Sequence, residues 1–174
     1  EGLTPVAGKS PDWDAADPSG SMRRTAEWFA EEARTTFLTD GTHVELFFLF
    51  REDGSYSMGP RPPDIPKNQF VEALRQRIHD DNTLGIVHVV EALVYVPKKP
   101  NDHIYNQILA GEMGVSDLKR CDKTEALVVH YECRDGSQRM WISPIVRPKT
   151  GGVALGDALE MGETAEGRFA SLFS

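Results

Sequence analysis

Cysteine is scarce in this chain, whose 174 residues include two, Cys121 and Cys133. They lie near the ends of a predicted strand of about nine residues, and a rise of about 3.3 Å per residue separates them beyond disulfide reach. The sequence therefore predicts free thiols and a reducing, cytoplasmic location.

The chain is also short of basic charge: 19 Lys and Arg stand against 27 Asp and Glu, so the formal net charge is −8. Neutralising phosphates requires clustered Lys and Arg, so nucleic acid and anionic membrane surfaces are not expected as partners. No run approaches the roughly 18 apolar residues of a membrane span, and no secretory signal opens the chain. We expect a soluble protein without a membrane partner.

Motifs that hold metals or cofactors are absent as well. There is no His-Glu-x-x-His motif and no paired-cysteine zinc motif. Gly111 and Gly114 bound a short loop that lacks the lysine and the preceding strand of a phosphate-binding cradle. We therefore predict no cofactor and no bound metal.

The most apolar stretch of the chain, residues 85–96, is Gly-Ile-Val-His-Val-Val-Glu-Ala-Leu-Val-Tyr-Val. A strand covered on both faces is a nearly continuous hydrophobic run, whereas a strand covered on one face alternates. The stretch therefore predicts a long central strand in a sheet that is covered on both sides. Period-two alternation places His88 on one face and Glu91 on the other, so these two side chains cannot be direct partners.

Helical spacing, period-two alternation and turn residues predict the other elements. In chain order, the predictions are a helix over 22–38, strands over 43–51 and 55–59, a helix over 66–80, the strand over 85–96, a short helix over 102–109, and strands over 124–134 and 138–147. The fold class is therefore α+β, with one mixed, largely antiparallel, five-stranded sheet covered by the two main helices. We expect the first strand to run parallel to the central one, across a right-handed crossover.

Composition divides the chain into three parts. Residues 1–21 are acidic and rich in Pro and Gly, which predicts a flexible tail, a tag or a joined peptide, and Gly20-Ser21-Met22 resembles a cloning junction. Residues 22–147 form the predicted α+β domain. Residues 148–174 form a C-terminal tail that ends in a short helix over 165–173.

The last two predicted strands carry a distinctive order of residues: Glu125-Ala126-Leu127-Val128-Val129, then Asp135-Gly136, then Trp141-Ile142-Ser143-Pro144-Ile145. Over residues 85–147 the chain resembles uncharacterised bacterial α+β proteins, a resemblance that implies no activity. The order of helices and strands is also similar to the cytidine-deaminase core. The Pro-Cys-x-x-Cys zinc motif of that family, which must accompany its His-x-Glu, has no counterpart here, so this resemblance concerns topology and implies no function.

His88 and Glu91 are the first candidates for chemistry, because a polar side chain in a core strand must have a partner. His88 is either a hydrogen-bonded core histidine or a catalytic base. Glu91 is either a perturbed acid at a site or a structural carboxylate paired with Arg75 or Arg77 of the covering helix.

His130 and Glu132 lie two residues apart on one strand and therefore share a face. With His88 they could form a His, His, Glu set that binds a divalent metal ion. Such a pair on an antiparallel strand is also typical of a solvated polar face. Cys121 is either a candidate nucleophile, with Lys119, Arg120 and Lys123 close to it in the sequence, or an ordinary loop thiol.

Two functions of different class remain open. The first is a small interaction module that binds a partner protein or an extended peptide, with self-association into a homodimer as one form of it. The second is a small hydrolase or deaminase-like enzyme that uses His88, Glu91, His130 or Glu132, and the missing catalytic motif favours the first. The candidate binding residues are Trp13, Tyr56, Pro62, Pro63 and Phe169. An extended segment anchored by Trp13 would add to the edge of a hairpin strand or lie beside the helix after the proline-rich connector.

Overall fold

The structure is a computed structural model that describes residues 8–10, 12–162 and 172–173. In chain order the elements are β1 (Gly8–Lys9), α1 (Pro18–Asp40), β2 (Leu46–Phe50), β3 (Ser55–Gly59), α2 (Lys67–Asp80), β4 (Gly85–Val94), α3 (His103–Leu109), β5 (Thr124–Cys133), β6 (Gln138–Val146), β7 (Ala154–Leu155) and β8 (Leu159–Gly162). Two short 3-10 turns, Val115–Asp117 and Arg120–Asp122, lie between α3 and β5.

The strands form one antiparallel sheet in the order β1-β3-β2-β4-β5-β6-β7, and β8 also pairs with β6. The α+β class and the central position of β4, between β2 and β5, are confirmed. The prediction of five strands is wrong, since the described residues contain eight. The three additional strands are short segments of two to four residues at the sheet edges, and segments of that length have no hydrophobic period.

The predicted parallel pairing of the first strand with the central strand is wrong. β2 pairs antiparallel with β4, and Leu46 lies opposite Val89. The hairpin between β2 and β3 reverses the chain before it enters α2, so the strand that leads into the crossover is β3. The parallel relation therefore holds between β3 and β4, with β2 between them.

Helix α1 is longer than predicted, since it begins at Pro18 instead of residue 22 and ends at Asp40. The side chain of Asp17 accepts a hydrogen bond from the Gly20 amide at the start of the helix, and Pro18 occupies its first turn, where a missing N–H costs nothing. Gly41 ends the helix in the left-handed region at φ 75°. The predicted boundary after residue 21 falls inside this helix.

The two main helices cover opposite faces of the sheet, as the apolar run of β4 predicts. On one face, α1 packs on a core that includes Phe48, Phe50, Val87, Val89, Leu127 and Val129. On the other face, α2 packs on Phe47, Leu49 and Ile86, together with Leu172 from the end of the chain. A third apolar cluster on the α2 side joins Ala126, Val128 and Ile142.

The remaining helices agree with the sequence in part. Helices α2 and α3 each lie within one residue of the predicted start and end at the predicted residue. Leu172 and Phe173 form a turn, whereas the rest of the helix predicted over 165–173 lies outside the described residues. None of the described helices combines the length and the apolar character needed to cross a membrane.

Candidate functional site

The α2 side of the sheet carries two buried histidines on neighbouring strands. His88 of β4 lies directly opposite His130 of β5, and the two residues are 7% and 5% exposed. The ring of His88 stacks on Phe47 of β2, with 4.2 Å between the centroids. The sheet register therefore brings together two of the predicted catalytic candidates.

His88 is hydrogen-bonded to a carboxylate. Its Nε2 lies 3.0 Å from Oε1 of Glu45, and Arg61 pairs with the other oxygen of Glu45 at 3.4 Å. Burial lowers the pKa of His88 and outweighs the opposing effect of Glu45, while the hydrogen bond with His88 lowers the pKa of Glu45. Because a carboxylate oxygen only accepts, a neutral His88 carries its proton on Nε2.

His130 is the less satisfied of the two histidines. Its Nε2 is buried and has no hydrogen-bond partner among the described residues. Burial, together with the nearby His88, lowers the pKa of His130 to about 4. The ring is therefore neutral near pH 7, and its low pKa makes it a weak general base at that pH.

Glu132 has a structural partner. Its carboxylate accepts hydrogen bonds from the backbone amides of Leu172 at 3.0 Å and Phe173 at 3.4 Å. Both oxygens of the carboxylate therefore hold the C-terminal turn against the sheet.

Glu91 lies on the α1 side of the sheet, apart from the two histidines. Its Oε1 accepts hydrogen bonds from Thr42 Oγ1 at 2.9 Å and from the His43 amide at 2.6 Å. The suggested pairing with Arg75 or Arg77 is wrong, because α2 covers the opposite face. Those arginines pair within their own helical region, with Glu72 and Asp81.

The four candidate catalytic residues therefore do not form one site. Among the described residues, no group of three His, Cys, Asp or Glu side chains is placed to hold a metal ion. Both cysteines are free thiols, and Cys121 is exposed while Cys133 is buried.

The candidate binding residue Trp13 lies against the hairpin of β2 and β3. Its ring is nearly parallel to that of Phe50, at 2° and 6.2 Å. Its Nε1 donates a hydrogen bond of 2.8 Å to the carbonyl oxygen of Glu52. The apolar ring is thus covered on one side and its polar atom is satisfied, which is the usual arrangement for a docked indole.

The residues that precede Trp13 extend the sheet. Gly8 lies opposite Tyr56 and Lys9 opposite Ser55 in an antiparallel pair, and the amide of Ser10 donates to the carbonyl of Gly54 at 2.9 Å. This segment therefore adds to the free edge of β3, which is one of the two docking modes that the sequence suggests.

The remaining predicted binding residues are dispersed. Tyr56 is half-buried and packs at 5.1 Å from Phe50, so it shares one aromatic neighbour with Trp13. Pro62 is half-buried and Pro63 exposed, both in the connector before α2. Phe169 lies outside the described residues.

The sequence pattern does not predict the roles of Gly54, Ser10 and Thr25 in holding this segment. Gly54 has φ 82°, and a Cβ built on it would lie 2.6 Å from Cγ of Trp13, so only glycine admits the indole here. Ser10 and Thr25 share a buried hydrogen bond of 2.8 Å between their hydroxyl groups. The Asp53-Gly54 pair predicts a hairpin turn, but no local sequence pattern indicates that Trp13 packs on it.

Comparisons of the chain with protein-family models, curated proteins and solved structures found no match.

Proposed function

We propose that this protein is a small interaction module that binds an extended peptide segment along the edge of β3, with a tryptophan against Phe50. The observation that carries the proposal is the mode in which Gly8 and Lys9 pair with Tyr56 and Ser55 while Trp13 stacks on Phe50. Main-chain pairing at a sheet edge supplies affinity, and a pocket for one side chain supplies specificity.

The contact is small enough to be exchangeable. Burying the indole contributes roughly 2 to 3 kcal/mol by area, and each added hydrogen bond contributes about 1 kcal/mol. Free energies of this size correspond to a Kd of about 1 mM or somewhat below for a free peptide. Tethering raises the local concentration of the chain's own segment to about the millimolar range, so that segment and an external one compete at the same edge.

The test separates the segment from the domain. The chain is shortened to begin at Asp17, which keeps the N-cap of α1, and a labelled peptide of residues 1–16 is added back. We expect saturable binding and shifts of the backbone amides of residues 54–57 in NMR spectra. Circular dichroism of the shortened chain first establishes that it is folded.

The matched control peptide carries Trp13→Ala and keeps every backbone donor. It should bind at least about ten-fold more weakly, because the indole supplies most of the buried apolar area. Equal affinity of the two peptides, or no amide shifts with either, would contradict the proposal.

The enzyme hypothesis has one observation in its favour: Nε2 of His130, beside His88, is buried and has no hydrogen-bond partner in the described part of the chain. The carboxylates that would act with it are already hydrogen-bonded, Glu132 to the C-terminal turn and Glu91 on the opposite face. A hydrolase or deaminase-like function is therefore the second candidate. Hydrolysis of nitrophenyl esters that His130→Gln abolishes would support it.

A further inference from the structure

An apolar pocket lies between α1 and the sheet, on the opposite side from His88 and His130. Its volume is about 300 Å³, at the lower end of the range for binding pockets. Its apolar wall is formed by Phe29, Ala33, Leu46, Phe48 and Val89. The pocket is therefore large enough to accept one or two apolar side chains.

The apolar surface continues beyond the mouth of the pocket. Trp28 and Val44, which also line it, are 50% and 64% exposed. Exposed tryptophan is among the residues most enriched where proteins bind one another. An apolar surface that spreads past a pocket fits a partner chain better than an enclosed small molecule.

The rim of the pocket is acidic. Trp28, Glu32, Thr36 and Asp40 lie at intervals of four along α1 and all line the pocket, so they form one row on the helix surface. Glu32 and Asp40 are exposed, and no ion pair joins either to a cation in the described part of the chain. The rim therefore attracts positive charge.

We infer that this pocket binds a partner chain that inserts an apolar side chain beside Trp28 and places lysine or arginine against Glu32 and Asp40. This surface is distinct from the β3 edge, because the residues that line the pocket include neither Trp13 nor any residue of β1 or β3. The inference therefore goes beyond the proposed peptide site and can fail independently of it.

The probes are three labelled peptides in which a central leucine-phenylalanine pair is flanked by lysines, by serines or by glutamates. Binding to the full chain is measured by fluorescence anisotropy, and the contact residues are read from NMR amide shifts. The lysine-flanked peptide should bind at least about five-fold more tightly than the serine-flanked peptide, since exposed ion pairs have effects of this size. The glutamate-flanked peptide should bind most weakly, because its charge repels the acidic rim. The shifts should centre on the amides of Trp28, Glu32 and Val44.

Two substitutions with matched controls test the residues. Glu32→Lys should lower the affinity for the lysine-flanked peptide about five-fold or more. Glu31 is also exposed but does not line the pocket, so Glu31→Lys should have little effect on this affinity. Val44→Ser, which removes apolar surface without adding charge, should also weaken binding, whereas Val146→Ser, at a comparably exposed valine elsewhere, should not. Because both valines are exposed, neither change should unfold the chain.

Three outcomes would overturn the inference. The first is equal affinity for the lysine- and glutamate-flanked peptides. The second is an equal effect of Glu32→Lys and Glu31→Lys. The third is a dimer in sedimentation experiments that Trp28→Asp dissociates, since a second copy of the chain would then be the occupant. Failure of the tryptophan peptide at β3 would leave all three results unchanged, so the two proposals are distinguishable.

Discussion

His88 and His130 lie directly opposite each other across β4 and β5, and both rings are buried on the side of the sheet that α2 covers. Each proton taken up by either ring would place a charge beside the other in a poorly solvated region. Burial lowers the pKa of both histidines, and the stability of the fold must therefore depend on pH.

The fold should lose stability as the pH falls from about 6.5 towards 4. The pKa of His130 is lowered from 6.5 to about 4, so in this window the unfolded chain binds a proton that the folded chain does not. Stability therefore rises with pH across the window and is fully present above the unfolded pKa. One pKa unit corresponds to 1.36 kcal/mol, so the loss for His130 approaches about 3 kcal/mol at the acidic end. Urea unfolding between pH 4 and 7.5 measures this loss.

His130→Gln is the matched variant, because glutamine keeps polar atoms but does not titrate. Its unfolding free energy should fall less steeply with decreasing pH than that of the parent chain. His79→Gln serves as the control, since the side chain of His79 is 86% exposed. Parallel pH profiles for the parent and His130→Gln chains would show that His130 is not the group responsible.

Glu132→Ala should destabilise the fold by about 1 to 3 kcal/mol, since two backbone amides would lose a charged acceptor in a buried setting. The amides concerned belong to Leu172 and Phe173. Glu112→Ala is the control at an exposed position and should change stability by less than about 0.5 kcal/mol. Faster hydrogen exchange of the two C-terminal amides in the Glu132 variant alone is the second readout.

Val87→Asp should unfold the protein. Val87 is completely buried under α1, and an unpaired buried charge costs several kcal/mol, which is comparable with the whole stability of a domain. Leu93→Asp lies on the same face of the same strand but is 40% exposed, so it should leave a folded protein. A native circular dichroism spectrum for Val87→Asp would contradict the central position of β4.

Gly54→Ala should release Trp13 from its place on Phe50. A Cβ there meets the indole at 2.6 Å, and φ is 82°, so the substitution adds a clash to backbone strain. Gly136→Ala in the other Asp-Gly hairpin has φ 88° and nothing within 4 Å, so it measures strain alone, which is about 1 kcal/mol. Trp13 fluorescence, read in a chain with Trp28 and Trp141 replaced by phenylalanine, should shift in the Gly54 variant only.

The sequence predicts the centre of the sheet well because burial on both faces leaves a direct signature in β4. It also places His88 and Glu91 correctly on opposite faces. The partners of those residues could not be predicted, because Glu45 and the His43 amide are separated from them by 43 and 48 residues. Such contacts depend on strand register and on which strand precedes the crossover, and neither is local information.

The edges of the sheet were the least predictable part. β7 and β8 both pair with β6, and between them the Gly156 amide donates to the carbonyl of Pro144. Each of these strands has at most four residues, which is too short for alternation to be recognised. The first turns of α1 could not be predicted either, because Pro18, Gly20 and Ser21 have low helix propensity. Contacts outside the helix hold them in place, such as the hydrogen bond from the Asp14 amide to Ser21 Oγ.

The short strands at the two edges of the sheet affect how readily the protein can aggregate at high concentration. A free edge of β3 would present unpaired amides and carbonyls to any other extended chain, and such edges are templates for aggregation. β1 covers part of that edge with two residues, and on the other side the β7 and β8 pairings cover β6 in two separate pieces. Neither piece offers a long, flat ladder on which a second molecule could extend the sheet. The same few residues that pair with β3 therefore shorten the free edge on which a second copy of the chain could add a strand.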